Sequence, residues 1–300
     1  MTTTYQGALY LSLAASIWGG MYVASKYALE VISPFTLLFM RFFLASILLI
    51  GWCRRTGTEV VPKSDKWTLF QIGFVGYFLS IAAQFVGTKL STAHMGAVIT
   101  TLSPVFQSGF AVLLLGEKLM SKHVASSIMA LVGVSIITGF GDIDGDEALN
   151  AGNLFLLAAA VFWGYYSVLA KKIAANHSAL QITTWGIVVA TALTAAPALL
   201  ELGKWQMGEL QKPLVLLSVG YLAVIATAAA FFCWNKGLSL LNSHQAGLFF
   251  FLQPLVGSLL GYIMLDETLS VSFYFGSLFI LVGVCSLIAG KTIGSYKVYR

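Results

Sequence analysis

Apolar runs of bilayer-spanning length recur from one end of this 300-residue chain to the other, and that pattern excludes most folds at once. Ten can be read, at about 7–28, 34–52, 67–89, 95–115, 122–140, 152–172, 180–200, 213–235, 244–264 and 271–290. They are continuously apolar rather than alternating, which argues for helices and against a β-barrel. Hydrophobic residues make up 58% of the chain and charged residues 10%, against roughly 25% charged in soluble domains. No stretch between the runs is long enough to fold around a core of its own. The first run follows Met1 to Gln6, which carry no positive charge, and it is too long for a signal peptide, so it is read as a span.

The second half repeats the first. Pro104 and Pro254 are each followed thirteen residues later by an acid, Glu117 and Glu267, and twenty-seven residues later by Leu-Val-Gly-Val, at 131–134 and 281–284. His94 and His244 share that offset of 150, while Trp18-Gly19 with Lys26 and Trp163-Gly164 with Lys171 match at 145. Five spans per repeat leave the halves in opposite orientations. The expected fold is therefore an all-α integral membrane protein: ten transmembrane helices as two inverted five-helix repeats, 1–145 and 146–300, around a central cavity.

Charge sets the expected orientation. With the N-terminus in the cytoplasm, twelve Lys and Arg residues fall on the inner side and four on the outer (Lys26, Lys89, Lys204 and Lys212), with Arg41 inside a span. That asymmetry places both termini on the inner side of the membrane. The net charge of +5 is thus an orientation signal and not a nucleic-acid footprint. The loop Gly116-Glu117-Lys118-Leu119-Met120-Ser121-Lys122 and its outer counterpart from Leu265 to Val271 share a frame, but only the inner copy keeps lysines.

Catalysis finds little support. Cys53, Cys233 and Cys285 are isolated and have no metal-ligand spacing. There is no phosphate-binding Gly-Lys-Ser/Thr loop, no Gly-x-Ser-x-Gly elbow and no His-Glu-x-x-His pair, so neither a cofactor, a metal nor an enzyme is expected.

Three patterns together resemble the EamA-type branch of the drug/metabolite transporter superfamily. They are an early Trp18-Gly19, an Arg41-to-Ala45 segment in the second span, and the doubled proline followed by Gly116-Glu117-Lys118-Leu119 or its relative. The resemblance covers roughly residues 8–290 and implies ten helices around a cavity that moves amino acids, other metabolites or amphipathic drugs, often outward. Within that branch the chain looks most like bacterial aromatic amino-acid exporters. Partners then reduce to a small-molecule substrate and the lipid bilayer, with one chain enough to enclose the cavity.

Polar and aromatic side chains at mid-span are the candidate lining, because polar groups at depth tend to face a cavity or a partner helix. They are Trp18, Tyr22, Tyr77, Ser80, Gln84, Thr100, Gln107, Trp163, Tyr166, Phe249 and Gln253. Rings can hold apolar cargo by area and stacking, and hydroxyls and amides can bind polar ends. Ordinary packing between helices is the competing use for each. Pro104 and Pro254 each remove a backbone donor and serve either as a gating hinge or as a static kink. Arg41 suits a carboxylate, but a structural role is the more common one for such a residue. His94 and His244 are read as hydrogen-bonding at helix starts. No Asp or Glu lies at mid-span, so facilitated flux is expected in preference to proton coupling, although either histidine can titrate.

Overall fold

The computed structural model describes residues 3–90, 99–138, 147–201, 212–265 and 271–289. These form ten helical segments and, among the described residues, no strand. They are α1 (Thr3–Val31), α2 (Pro34–Thr56), α3 (Lys66–Leu90), α4 (Ser103–Leu115), α5 (Ser121–Thr138), α6 (Glu147–Ile173), α7 (Ala179–Leu200), α8 (Pro213–Leu240), α9 and α10 (Val271–Ala289). Helix α9 runs as Ser243–Leu248, a 3-10 turn Phe249–Phe251 and Leu252–Leu265. Five of these, α2, α3, the Ala151–Ile173 part of α6, α7 and α8, are long and apolar enough to cross a membrane, and Ser103–Leu115, Ser121–Ile136 and Val271–Ser286 are shorter apolar helices.

Local chemistry sets the helix ends. Helix α2 starts with Pro34 in its first turn, where no backbone donor is needed, and ends on Gly57 at φ 69° with Arg54 and Arg55 in the last turn. Ser178 and Asn242 cap α7 and α9 by accepting from the amides of Gln181 and Gln245. Large apolar side chains such as Leu113, Leu200, Leu217, Ile263 and Phe275 point outward, as a protein solvated by hydrocarbon requires.

The contacts of the first half recur in the second. A Cβ on Gly19 would meet Val256 and Gly257, and one on Gly164 would meet Phe106 and Gln107, residues that correspond at the sequence offset of 150. In the same way Gly87 lies against Leu156 and Gly152, and Gly237 against Leu11 and Gly7. Helices α5 and α10 cross with Gly133 on the Gly276 carbonyl and Gly283 on the Ser126 carbonyl, while Ser46 and Thr191, 145 residues apart, share a hydrogen bond of 2.9 Å between α2 and α7. Reciprocal contacts of this kind are what a two-fold relation generates. Even the irregularities are paired: α3 winds as a π-helix over Ile72–Leu79 and α8 over Tyr221–Ala229.

Candidate functional site

The prolines sit where α4 and α9 change winding. Tight i→i−3 bonds from Leu102 and Val105 mark the entry to α4, and the 3-10 turn Phe249–Phe251 precedes the second part of α9. Pro104 is then the second residue and Pro254 the third of the segment that follows, positions where a missing amide proton leaves no bond unmade. Ser103 Oγ donates to the Thr100 carbonyl at 2.6 Å and so satisfies part of the break.

Between these breaks the middle of the bundle is filled with rings. Trp18 lies edge-on to Trp163 with centroids 5.0 Å apart, and both touch Phe231, Trp234 and Phe250 at 5.3–6.2 Å. All five are nearly inaccessible. Where a central cavity is expected, edge-to-face and tilted ring contacts fill the middle of the described bundle in this conformation, and such pairs favour one another by about 0.5–1.5 kcal/mol beyond burial. Phe249, from the 3-10 turn, is buried next to Phe250 in sequence.

Beside the rings lies a closed polar circuit. The Asn235 amide nitrogen donates to Tyr77 Oη at 2.9 Å and to Thr183 Oγ1 at 2.8 Å, and its oxygen accepts from Tyr166 Oη at 2.8 Å. Tyr77 Oη then has its own proton left for Tyr166 Oη, 3.1 Å away. Every donor in the circuit is used, and that is why a hydrocarbon-facing bundle tolerates it at its centre. Tyr77 and Tyr166, two of the candidate lining residues, are thus brought together; Asn235 and Thr183, which hold them, are not among those candidates. The eighth apolar run was read as ending at 235, whereas α8 continues to Leu240 and carries Asn235 inward by a full turn.

The other candidates are distributed. Ser80 Oγ donates to the Ala159 carbonyl at 3.0 Å and fastens α3 to α6. Gln84 is half-buried on α3, and Thr100 is buried at the break before α4. Gln107 reaches the Ser243 carbonyl at 2.8 Å, which ties α4 to the start of α9. Gln253 is 4% exposed, and its amide nitrogen has no partner. The Tyr22 side chain and His94 lie outside the described residues.

The two tryptophans differ in one bond. Trp18 Nε1 donates to the Ala226 carbonyl at 2.9 Å, within the π segment of α8. The corresponding carbonyl for Trp163 is that of Gly76 in α3, yet Trp163 Nε1 has no partner. Tyr166 packs directly on Gly76, where the other half has the narrower Met21.

Arg41 is fully buried in α2. Its Nε donates to Thr227 Oγ1 at 2.8 Å, Nη1 points at the Met21 sulfur at 3.6 Å, and Nη2 has no partner. The guanidinium lies 5.6 Å from the centroids of Phe42 and of Phe85. No acid among the described residues forms an ion pair with it. A lone arginine at the centre of a spanning helix costs roughly 2.5–3.5 kcal/mol on insertion scales.

At the end of the bundle that carries the 116–120 loop, Glu117 joins the halves. It accepts from the Ser243 amide at 3.0 Å and the Ser243 hydroxyl at 2.9 Å. Burial pushes its carboxyl above the usual value of 4.5, while the bonds from Ser243 pull the other way. His244 stacks on His123 with centroids 5.0 Å apart, and its Nε2 lies 3.7 Å from Glu117 Oε2. Its ring nitrogens make no hydrogen bond, so the capping expected of His244 falls to Asn242 instead. Glu117→Ala removes both acceptors of Ser243. It is expected to loosen this end and to raise thiol labelling of a cysteine placed at the buried Ala111 by several-fold, with labelling rates on wild-type and variant backgrounds as the check.

Comparisons with known proteins follow the same two-part layout. Residues 5–139 and again 150–289 match the EamA-like transporter family. An uncharacterized transporter of Bacillus subtilis (strain 168), YetK, is 27% identical over 283 residues, covering 92% of this chain and 85% of that protein. A Chlamydia trachomatis serovar L2 protein described as an S-adenosylmethionine/S-adenosylhomocysteine transporter is 25% identical over 291 residues, covering 92% and 86%. A solved crystal structure superposes with a TM-score of 0.82 over 96% of this chain and 99% of its own, at 22% identity, which speaks to fold alone.

Proposed function

The chain belongs to the EamA-like transporter family, and on that premise we propose that it is a secondary transporter exporting amino acids, aromatic and other apolar ones in particular. The observation that carries this reading is the ring cluster of Trp18, Trp163, Phe231, Trp234 and Phe250 where the two halves meet. Rings that pack edge-to-face on one another can exchange those contacts for an aromatic side chain of cargo at little net cost.

The same proposal takes the ten helices as two inverted repeats, 1–145 and 146–300, in the inner membrane with both termini cytoplasmic and a single chain as the working unit. The duplicated glycine contacts and paired π segments support it. Alternating access then amounts to the halves exchanging conformations around the ring cluster. Pro104 and Pro254 sit at the winding changes that would hinge, and the Glu117–Ser243 link closes the cytoplasmic side. Trp18, Tyr22, Tyr77, Ser80, Gln84, Thr100, Gln107, Trp163, Tyr166, Phe249 and Gln253 remain the proposed lining, now joined by Phe231, Trp234 and Phe250.

A second reading is favoured by the chlamydial relative's name. S-adenosylhomocysteine combines an aromatic base with an α-amino carboxylate, the same two chemical ends as phenylalanine. Counterflow separates the two: purified protein in liposomes preloaded with unlabelled phenylalanine or with unlabelled S-adenosylhomocysteine is given the same compound labelled, with and without a pH gradient. Saturable phenylalanine uptake without a gradient is the expected result for a facilitative amino-acid carrier. Uptake of S-adenosylhomocysteine alone supports the second reading, and silence toward both defeats each.

A further inference from the structure

The interior contains one nook twice, and only one copy is electrically complete. In α7, Gly186 faces the ring of Tyr77, and Tyr77, Tyr166, Asn235 and Thr183 close the neutral circuit. The offsets of 145 and 150 convert Gly186 to Arg41, Tyr77 to Thr227, Tyr166 to Met21 and Asn235 to Phe85. Those are the residues that meet in the other copy: Arg41 bonds Thr227, points at Met21 and lies over Phe85.

The comparison bears on what Arg41 is for. Bracing this junction needs no charge, since the neutral copy braces it with every donor used. The charged copy instead leaves Nη2 buried without a partner and Nη1 on a thioether, which is a weak acceptor. A guanidinium presents parallel donors that match a carboxylate. Met21, the residue in front of them, lies three positions after Trp18 on α1 and so shares its face. A cargo with its ring among the central tryptophans thus has its acidic end within reach of Arg41.

We propose that Arg41 is the anion-recognising residue of the transport site, taking the carboxylate of the cargo on its unpartnered face once Met21 swings aside. This rests on the transporter reading and adds that the cargo is a carboxylate, held at this one of the two related nooks.

The test pairs phenylalanine with phenylalaninamide, which keeps the ring and amine but has no carboxylate. Both compete against labelled phenylalanine in counterflow. Wild type is expected to prefer the acid by at least tenfold, Arg41→Gln to lose that preference, and Arg41→Lys to restore part of it. Thr227→Asp keeps Arg41 in place but supplies a resident carboxylate beside its Nε. It is expected to fold at least as stably as wild type and still to lose the acid preference. Acid preference retained in both Arg41→Gln and Thr227→Asp overturns the inference, as does a wild type on which the acid and the amide compete equally. If wild type carries no amino acid, the amino-acid reading alone fails, and the same variants are read with labelled benzoate, pyruvate and succinate. A wild type silent toward every carboxylate overturns the role of Arg41 as well.

Discussion

Asn235→Leu is expected to destabilise the protein by about 3–5 kcal/mol, on the order of 10 °C in its melting temperature. The substitution keeps the branched four-atom outline, with bulkier methyl groups at its tip, but removes one acceptor and two donors from the middle of the bundle. Tyr166 then loses its acceptor, Tyr77 and Thr183 lose their donor, and none of the three can reach water. Each buried polar group left unmade costs about 1–3 kcal/mol. Tyr77→Phe provides the scale, because it deletes a single hydroxyl and is expected to cost no more than half as much. Thermal unfolding of both variants in detergent, followed by size-exclusion chromatography, checks the ratio. Equal losses would mean that the circuit is not the unit of stability described here.

The two central tryptophans are expected to respond in opposite directions to the same substitution. Trp18→Phe removes the bond to the Ala226 carbonyl and leaves that carbonyl buried. It is expected to disfavour the observed conformation by roughly 1–2 kcal/mol, or five- to thirtyfold in population. Trp163→Phe removes a donor that has no acceptor in this conformation, so it is expected to leave the conformation unchanged or to favour it. If the halves exchange roles during transport, Trp163 bonds Gly76 in the alternate state and Trp18 is released. Trp163→Phe then penalises that other state, so both variants slow flux while shifting the resting population in opposite senses. Labelling of a cysteine at Ala111 by impermeant maleimide, applied from each side of the membrane, reads the populations. Shifts of the same sign would show that the missing Trp163 bond has no part in switching.

The fold was legible in the sequence because its main constraints are one-dimensional. A bilayer demands apolar runs of fixed length, and duplicated runs carry duplicated landmarks: Trp-Gly pairs, prolines and Leu-Val-Gly-Val. The glycines named by those landmarks do mark the close helix crossings, as Gly19, Gly164, Gly133 and Gly283 show. The expected span starts at 34, 180 and 213 fall within a residue of α2, α7 and α8, whereas the expected ends at 52 and 235 stop short of Thr56 and Leu240, where the apolar run gives way to polar residues before the helix stops.

The site was only partly legible. A helix that is apolar all round has no polar face to reveal which side it turns inward, so mid-depth position selected Ser80 and Gln107 along with Trp18 and Tyr166. In three dimensions Ser80 and Gln107 bond backbone carbonyls of neighbouring helices, while Trp18 touches the central rings and Tyr166 the polar circuit. It also decided which of two related nooks is complete. From sequence alone Arg41 is one basic residue in a span. Its lack of a counter-charge depends on Thr227, Met21 and Phe85 arriving from three other helices, and none of these supplies an anion. The sequence by itself determined an all-helical, membrane-embedded chain and displays paired landmarks along its length, because solvent acts on each segment separately. Which donors and acceptors pair, and which groups are left unpaired, was decided by tertiary structure, because hydrogen bonding joins residues that are far apart in the chain.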